Sequence, residues 1–325
     1  MAIPDALLKG LRLPLIAAPM FLVSGPDLVV EVCRSGAIGS FPALNARRSE
    51  DFAAWLDEIE GRLAAIGDYA AFGVNLIVHK SNPRLAADLE IVARHRVPLV
   101  ITSLGAVRDV VDAVHAYGGL VFHDVINRRH AEKAAEAGVD GIIAVSAGAG
   151  GHAGATNPFA LLAEIRSFFR GAVVLSGALG TGRDVAAARM MGADLAYMGT
   201  RFIATRESMA PSAYKDMIME SSAADVLYTP AISGVNANFL RPSIAAAGLD
   251  PENLPAHAAL DMKNEAKAWK SVWSAGQGVG GIGDIPSAAA LCERLVNEYR
   301  DAMAAARSDS FLEKNAPSGA GRGDV

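Results

Sequence analysis

Three stretches between Ala144 and Arg201 combine residue types and spacings that could do chemistry. In SAGAGGHAG, His152 stands among glycines and alanines, so nothing bulky bars another molecule from its ring. Imidazole titrates near neutrality and can take a proton from a weak carbon acid, which makes His152 the candidate catalytic base. In VVLSGALGTGRD, Ser176, Gly177, Gly180 and Gly182 lie between an apolar run and a helix-like segment starting near Arg183. Glycines let backbone N–H groups approach a phosphate, and a helix N-terminus adds a favourable dipole. In AYMGTRF, which includes Tyr197 and Met198, Gly199 offers an N–H and Thr200 a hydroxyl. Tight turns alone would also use glycine, but two adjacent glycine-bearing strand ends favour a phosphate.

Other positions are consistent with a flat ring attached to that phosphate. Ala18, Pro19 and Met20 offer backbone and a thioether without charge, which suits one edge of a heteroaromatic system. Asn75 sits inside the apolar run FGVNLI, where an amide must be bonded, either to a ligand or to a neighbouring strand. The combination reads as a phosphate-anchored flavin with His152 over its ring. His123 and Asp124 are adjacent, yet successive strand residues point to opposite faces, so they should not act as one unit. No metal site is expected, because His123, His130 and His152 form no i, i+4 pair. No GxSxG elbow supports a serine hydrolase.

The elements that must position these residues repeat in a simple rhythm. Short apolar runs begin at Pro14, Ala37, Phe72, Pro98, Leu120, Gly141, Ala172 and Leu195, each followed by helix-like sequence. Those helices include Asp51–Leu63, Arg84–Arg94, Val107–Ala116 and Arg129–Ala137. Eight alternations predict a (β/α)8 barrel, in which loops at the strand C-termini build the site and a phosphate is often held between the last two strands. An open doubly wound sheet would carry GxGxxG after its first strand, where this chain has APMFLVSG. After Arg201 the rhythm breaks. Residues 1–208 and 269–307 are expected to form the barrel, with Ser287–Ala306 as its eighth helix. Residues 209–268 are read as a small, mainly helical insertion over the barrel mouth, and 308–325 as a polar, mobile tail.

Composition narrows the class. The 325 residues are half hydrophobic and carry a net charge of -5 with no basic block, which disfavours a nucleic-acid partner. The two cysteines, Cys33 and Cys292, suit a reduced, cytoplasmic protein better than a disulfide framework. Pro14 and Pro19 interrupt LPLIAAPMFLV, so it reads as a first strand rather than a leader, and no run reaches the ~20 apolar residues of a membrane span.

In chain order, APM, GVN, AGGHAG, SGALGTGRD, MGTRF and WSAGQGVGGI resemble the nitronate monooxygenase family, formerly called 2-nitropropane dioxygenases. The resemblance implies a non-covalent FMN on a TIM barrel and oxidation of alkyl nitronates by dioxygen through a flavin semiquinone. By that resemblance Pro19, Met20, Asn75 and Gly150 would contact the flavin, and Ala178 stands where many relatives have a second glycine. Tyr197, Met198, Gly199 and Thr200 would hold the phosphate with the preceding turn, and His152 would be the base. Phe21, Tyr228 and Phe239 are candidate liners of the substrate cavity. The scaffold is also similar to NAD(P)H-dependent flavin reductases of quinones and of activated alkenes, including enoyl thioesters. Some quinone-reducing relatives have a lysine where this chain has Asp124, whose charge would oppose build-up of anionic flavin. Oligomeric state is left open.

Overall fold

The apolar runs Gly141–Val145 and Ala172–Ser176 are buried along their whole length, as strands covered by helices on one face and a closed interior on the other must be. The computed structural model describes residues 3–79, 81–105, 108–254 and 271–311. Its strands are β1 (Leu15–Ala17), β2 (Ile38–Pro42), β3 (Phe72–Ile77), β4 (Leu99–Ser103), β5 (Leu120–Val125), β6 (Gly141–Val145), β7 (Gly151–His152), β8 (Ala172–Ser176) and β9 (Leu195–Met198). All but β7 form a closed parallel barrel in the order β1-β2-β3-β4-β5-β6-β8-β9. Pairing of β9 with β1, Leu15 opposite Ala196 and Ala17 opposite Met198, closes it. The fold is a (β/α)8 TIM barrel, as the alternation of runs predicts.

Side-chain alternation divides the core. Ile16, Ile38, Leu99, Ile101, Phe122, Ile143, Val174 and Leu195 fill the barrel interior. Their neighbours Val74, Val100, Val121, Ile142 and Val173 face the outer helices. Leu7 of α1 (Asp5–Leu8) packs with that interior, and the outer layer includes α2 (Pro26–Arg34), α3 (Ser49–Ile66), α4 (Leu85–Arg94), α5 (Arg108–His115), α6 (Arg128–Ala137), α7 (Pro158–Arg166) and α8 (Gly182–Met190). Sequence signals set their ends. The Asn127 side chain caps α6 by accepting from His130 N at 2.9 Å, and Gly138 ends that helix with φ +88°. Two steps further along each strand, the interior period brings Asn75, Ser103, Asp124, Ser176 and Tyr197 to the C-terminal mouth.

After β9 come α9 (Thr200–Ile203), α10 (Ser212–Glu220), β10 (Val226–Thr229), β11 (Ala237–Leu240), α11 (Arg241–Ala246) and α12 (Ala288–Arg307). Leu291, Cys292, Leu295 and Val296 of α12 pack with Val185 of α8 and with Leu28 and Val32 of α2, which makes α12 the eighth barrel helix. The segment after residue 208 differs from the helical expectation in one respect. VLYT and ANFL, within the stretch expected to be mainly helical, are antiparallel strands, and β11 continues to β7. These four-residue runs are too short to declare a period, and one partner is the non-local pair Gly151-His152. Lys263–Trp273, whose sequence is helix-like, lies outside the described residues through 270, as does the tail from 312 onward. Among the described residues no helix is long and apolar enough to cross a membrane. Cys33 and Cys292 are buried and free, and burial pushes both thiols up to about 12, which leaves them inert.

Candidate active site

The mouth of the barrel holds a cavity of about 1330 Å³, larger than the ~300–1,000 Å³ of most small-molecule sites. Twelve of the residues singled out in the sequence line it together: Ala18, Pro19, Met20, Asn75, Gly150, His152, Ser176, Gly177, Ala178, Tyr197, Gly199 and Thr200. They come from strand ends all around the barrel, so only closure of the sheet assembles them.

Two expected residues are held elsewhere. Met198 faces outward into the core that α2, α8 and α12 share, because Leu195 and Tyr197 take the interior positions of β9. Its contribution at the barrel mouth is a carbonyl that accepts from Ala18 N at 3.0 Å. Gly180 is not part of the cavity lining. Its N–H and that of Thr181 donate to Asp184 Oδ2 at 2.9 and 2.8 Å, and Gly182 N–H donates to Glu298 Oε2 at 2.7 Å. The N-terminus of α8 is therefore closed by two carboxylates, and an anion there would meet like charge. The capping pattern TxxD was visible in TGRD, and it accounts for these glycines better than a phosphate does.

A third glycine-rich segment, near the end of the chain, completes the bed. Gln277 N and Ala178 N both donate to Gly148 O, at 2.9 and 3.1 Å, and Gly276 N donates to Thr200 Oγ1 at 2.8 Å. A Cβ on Gly276 would lie 2.6 Å from Gly148 O, and one on Gly278 would lie 2.9 Å from Ala178 O. These glycines are required for backbone-to-backbone packing between loops. Gly276 and Gly278 line the cavity, and the sequence offered WSAGQGVGGI as a motif without a position for it. Ala178 has φ +54°, a left-handed conformation that L side chains rarely adopt.

His152 is fixed by the segment after the barrel. Ala237 of β11 pairs with His152, and Asn238 pairs with Gly151. Asn238 Nδ2 donates to Ala149 O at 2.6 Å, and the Tyr228 hydroxyl donates to Ala153 O at 3.0 Å. The chain on both sides of His152 is thus tied to β10 and β11. Phe21 lines the cavity, whereas Phe239 is packed away with Ile232, Ile244 and Val272. Tyr228 is exposed beyond the cavity lining. Tyr214 and Trp273 form one wall instead, stacked with ring centroids 4.9 Å apart.

Polar groups across β3, β4 and β5 form a chain. Asn75 Nδ2 donates to Ile101 O at 3.2 Å and to Ser103 Oγ at 2.7 Å, and Ser103 Oγ donates to Asp124 Oδ2 at 2.5 Å. Burial pushes Asp124 up to about 6, while the Ser103 bond and nearby His152 work the other way. Tyr197 is raised well above its ordinary range, by burial first and by Asp124 second. His123 alternates to the other face of β5 with Thr102, whose Oγ1 is 2.8 Å from its Nδ1, yet it also borders the cavity; burial and then His130 pull it down to about 4, so it is neutral at pH 7. The separation of His123 from Asp124 onto opposite faces follows the expected strand alternation.

A phosphate-bearing ring system fits these residues. A Cβ placed on Gly199 would touch Ala18 Cβ and Met20 Sδ, both at 3.6 Å, so its absence leaves a slot beside that apolar edge. Thr200 Oγ1 accepts from Gly276, which leaves its hydrogen to donate, and Ser176 adds a second hydroxyl. Arg47 and Lys133 are exposed at the rim, and Asp124 is the sole carboxylate of the described lining.

A family model described as nitronate monooxygenase matches residues 50–298. The chain is 31% identical to a nitronate monooxygenase of Pseudomonas aeruginosa, over 90% of this chain and 98% of that one. It is 28% identical to (3aS,4S,5R,7aS)-5-hydroxy-7a-methyl-1-oxo-octahydro-1H-indene-4-carboxyl-CoA dehydrogenase of Rhodococcus jostii, over 70% of this chain. The match spans 62% of that relative's length, less than two thirds. Among solved structures, nitroalkane oxidase from Streptomyces ansochromogenes has a TM-score of 0.80 at 25% identity, covering 93% of this chain and 100% of that one.

Proposed function

The chain belongs to the nitronate monooxygenase family, a family of oxidoreductases, and we propose that it binds FMN and oxidises alkyl nitronates or their parent nitroalkanes with dioxygen. The observation that carries this reading is the convergence of His152, the apolar edge Ala18–Met20 and the strand-end pair Gly199–Thr200 on one cavity. In this reading the phosphate is held by backbone N–H groups of Gly177, Gly199 and Thr200 and by the hydroxyls of Ser176 and Thr200. Ala18, Pro19, Met20, Asn75 and Gly150 would contact the ring. Tyr197 contributes the buried floor. Gly180 and Met198 act through the fold around this bed rather than by touching the cofactor. When bound, the flavin supplies the electron acceptor and the route to dioxygen.

The protein's own residues handle the proton. A neutral nitroalkane carries an acidic C–H next to nitrogen, and an imidazole nitrogen of His152 accepts that proton, leaving the nitronate. An already ionised nitronate needs only to be positioned. The segment 209–268 serves as the substrate cover, and its described part does so through β11, which holds β7 and with it His152. Tyr214 and Trp273 keep one side of the cavity apolar, which limits water around the carbanion-like carbon.

A second reading is an NAD(P)H-dependent flavin reductase of quinones or activated alkenes. The exposed cations Arg47 and Lys133 at the rim favour it, since they could meet the phosphates of a dinucleotide. Oxygen uptake with ethylnitronate, set beside anaerobic bleaching by NADH or NADPH, separates the two. Uptake with the nitronate and slow bleaching by either nucleotide support the first reading; rapid bleaching without nitronate-dependent uptake supports the second.

A further inference from the structure

Asp124 occupies an interior position of β5, two residues beyond Phe122 of the barrel core, and it lines the cavity that His152 also lines. The hydrogen-bond chain that reaches it has a fixed direction. Asn75 Nδ2 can only donate, so Ser103 Oγ accepts at 2.7 Å and spends its own hydrogen on Asp124 Oδ2 at 2.5 Å. Oδ2 is therefore committed as an acceptor. Oδ1 is buried and has no hydrogen-bond partner within the described residues. When the carboxyl is protonated, its proton belongs on Oδ1, and a bound molecule is the partner left for it.

The groups facing Asp124 come from three other elements: Ser103 of β4, His152 of β7 and Tyr197 of β9. His123, the adjacent ionisable group on β5, also borders the cavity, with its Nδ1 2.8 Å from Thr102 Oγ1, and burial holds it down at about 4, below the range in question. The lining thus offers one carboxyl that exists in two forms with opposite preferences. A carboxylate repels a small oxyanion in a cavity of low dielectric, whereas a carboxylic acid donates to one.

We propose that Asp124 is a specificity-determining residue: as the acid it donates from Oδ1 to an oxygen of an anionic nitronate, and as the carboxylate it turns that anion away in favour of the neutral nitroalkane. Naming nitronates rests on the function proposed above, but the anion selectivity itself does not. Anion binding is then coupled to uptake of one proton. The position of Asp124 near 6, set by burial against the opposing Ser103 bond and His152, puts the change between mildly acidic and neutral pH.

The test uses the flavin-loaded protein and sodium nitrate, a planar oxyanion that cannot be oxidised, followed by perturbation of the flavin absorbance between pH 5 and pH 8. The wild type should lose affinity for nitrate by roughly tenfold per pH unit above its midpoint, as uptake of one proton requires. Asp124→Asn, which keeps a permanent donor, should bind nitrate at pH 8 about as tightly as the wild type does at pH 5. Ser103→Ala removes a bond that favours the carboxylate, so its midpoint should move to higher pH. Equal pH slopes in wild type and Asp124→Asn would assign the titration to another group and overturn the proposal, as would the absence of any response to nitrate at pH 5. A parallel measurement of KM for ethylnitronate at pH 8 should fall at least several-fold in Asp124→Asn. If neither protein oxidises ethylnitronate but the nitrate titrations behave as stated, the proposed activity fails and the role of Asp124 stands. If nitrate binding is the same in both proteins at every pH while ethylnitronate is oxidised normally, the activity stands and the role of Asp124 fails.

Discussion

A histidine that removes a proton from carbon and one that merely positions an anion differ in which substrate form suffers when the ring is replaced. His152→Asn should retain flavin, while turnover of neutral nitroethane falls by about 10²–10⁴ and turnover of preformed ethylnitronate falls much less. Equal losses for both forms would remove the base role. Asp124 makes a separate, thermodynamic prediction. Its native value lies above the ordinary carboxylate range, so the native state keeps its proton to higher pH than the unfolded chain. The stability this contributes is present at pH 4 and is lost as pH rises through about 6. Asp124→Asn should therefore be more stable than the wild type at pH 8, by on the order of 1 kcal/mol, with the gap narrowed at pH 5 and closed near pH 4. Thermal unfolding at the two pH values measures it. At this scale the sequence was informative where residue type alone restricts the chemistry, as with His152 in its bed of small residues. It was misleading at Gly180, whose N–H is taken by Asp184, because glycine type does not reveal who accepts the N–H.

Loops and short strands decide whether these side chains meet. Gly276 and Gly278 lie against the carbonyls of Gly148 and Ala178, so Gly276→Val should push the loops apart and lower flavin content severely. Gly180→Ala is the contrasting control: its Cβ would meet Gly278 O at an ordinary 3.5 Å, and flavin content should stay near that of the wild type. The ratio of flavin absorbance to protein reports both. Asn238→Ala leaves Ala149 O without its donor and loosens the strand that carries His152, at a cost of roughly 1–3 kcal/mol. Its expected signature is a reduced kcat with nitroethane at unchanged flavin content. The barrel strands could be read from sequence because burial on both faces writes itself as an unbroken apolar run. β10 and β11 could not, since they are four-residue runs without a local period and the pairing of β11 with Gly151-His152 spans a long stretch of chain.

The closed barrel turns eight separate strand ends into one cavity, and this is why positions from Ala18 to Gly278 act together. Its outer shell is held partly by buried charge. Asp194, fully buried at the start of β9, accepts from Val173 N at 2.9 Å and pairs with Arg166, so one carboxylate links β8, β9 and α7. Asp194→Ala should cost roughly 1–3 kcal/mol, because it strands the buried Val173 N–H and takes from Arg166 its carboxylate, and should lower the unfolding midpoint without a specific effect on substrate preference. Barrel class, strand order and twelve of the cavity-lining residues were legible in the spacing of apolar runs and glycine turns. The polar chain from Asn75 through Ser103 to Asp124 was not, since it depends on which strands become neighbours and on which face each residue falls. Nitronate oxidation at this cavity is tested most directly by rapid anaerobic mixing of the flavin-loaded protein with ethylnitronate, followed by admission of air. Prompt loss of the oxidised-flavin absorbance is expected, with its return and oxygen uptake once air enters. A spectrum unchanged by the nitronate but bleached at once by NADH or NADPH would refute nitronate oxidation.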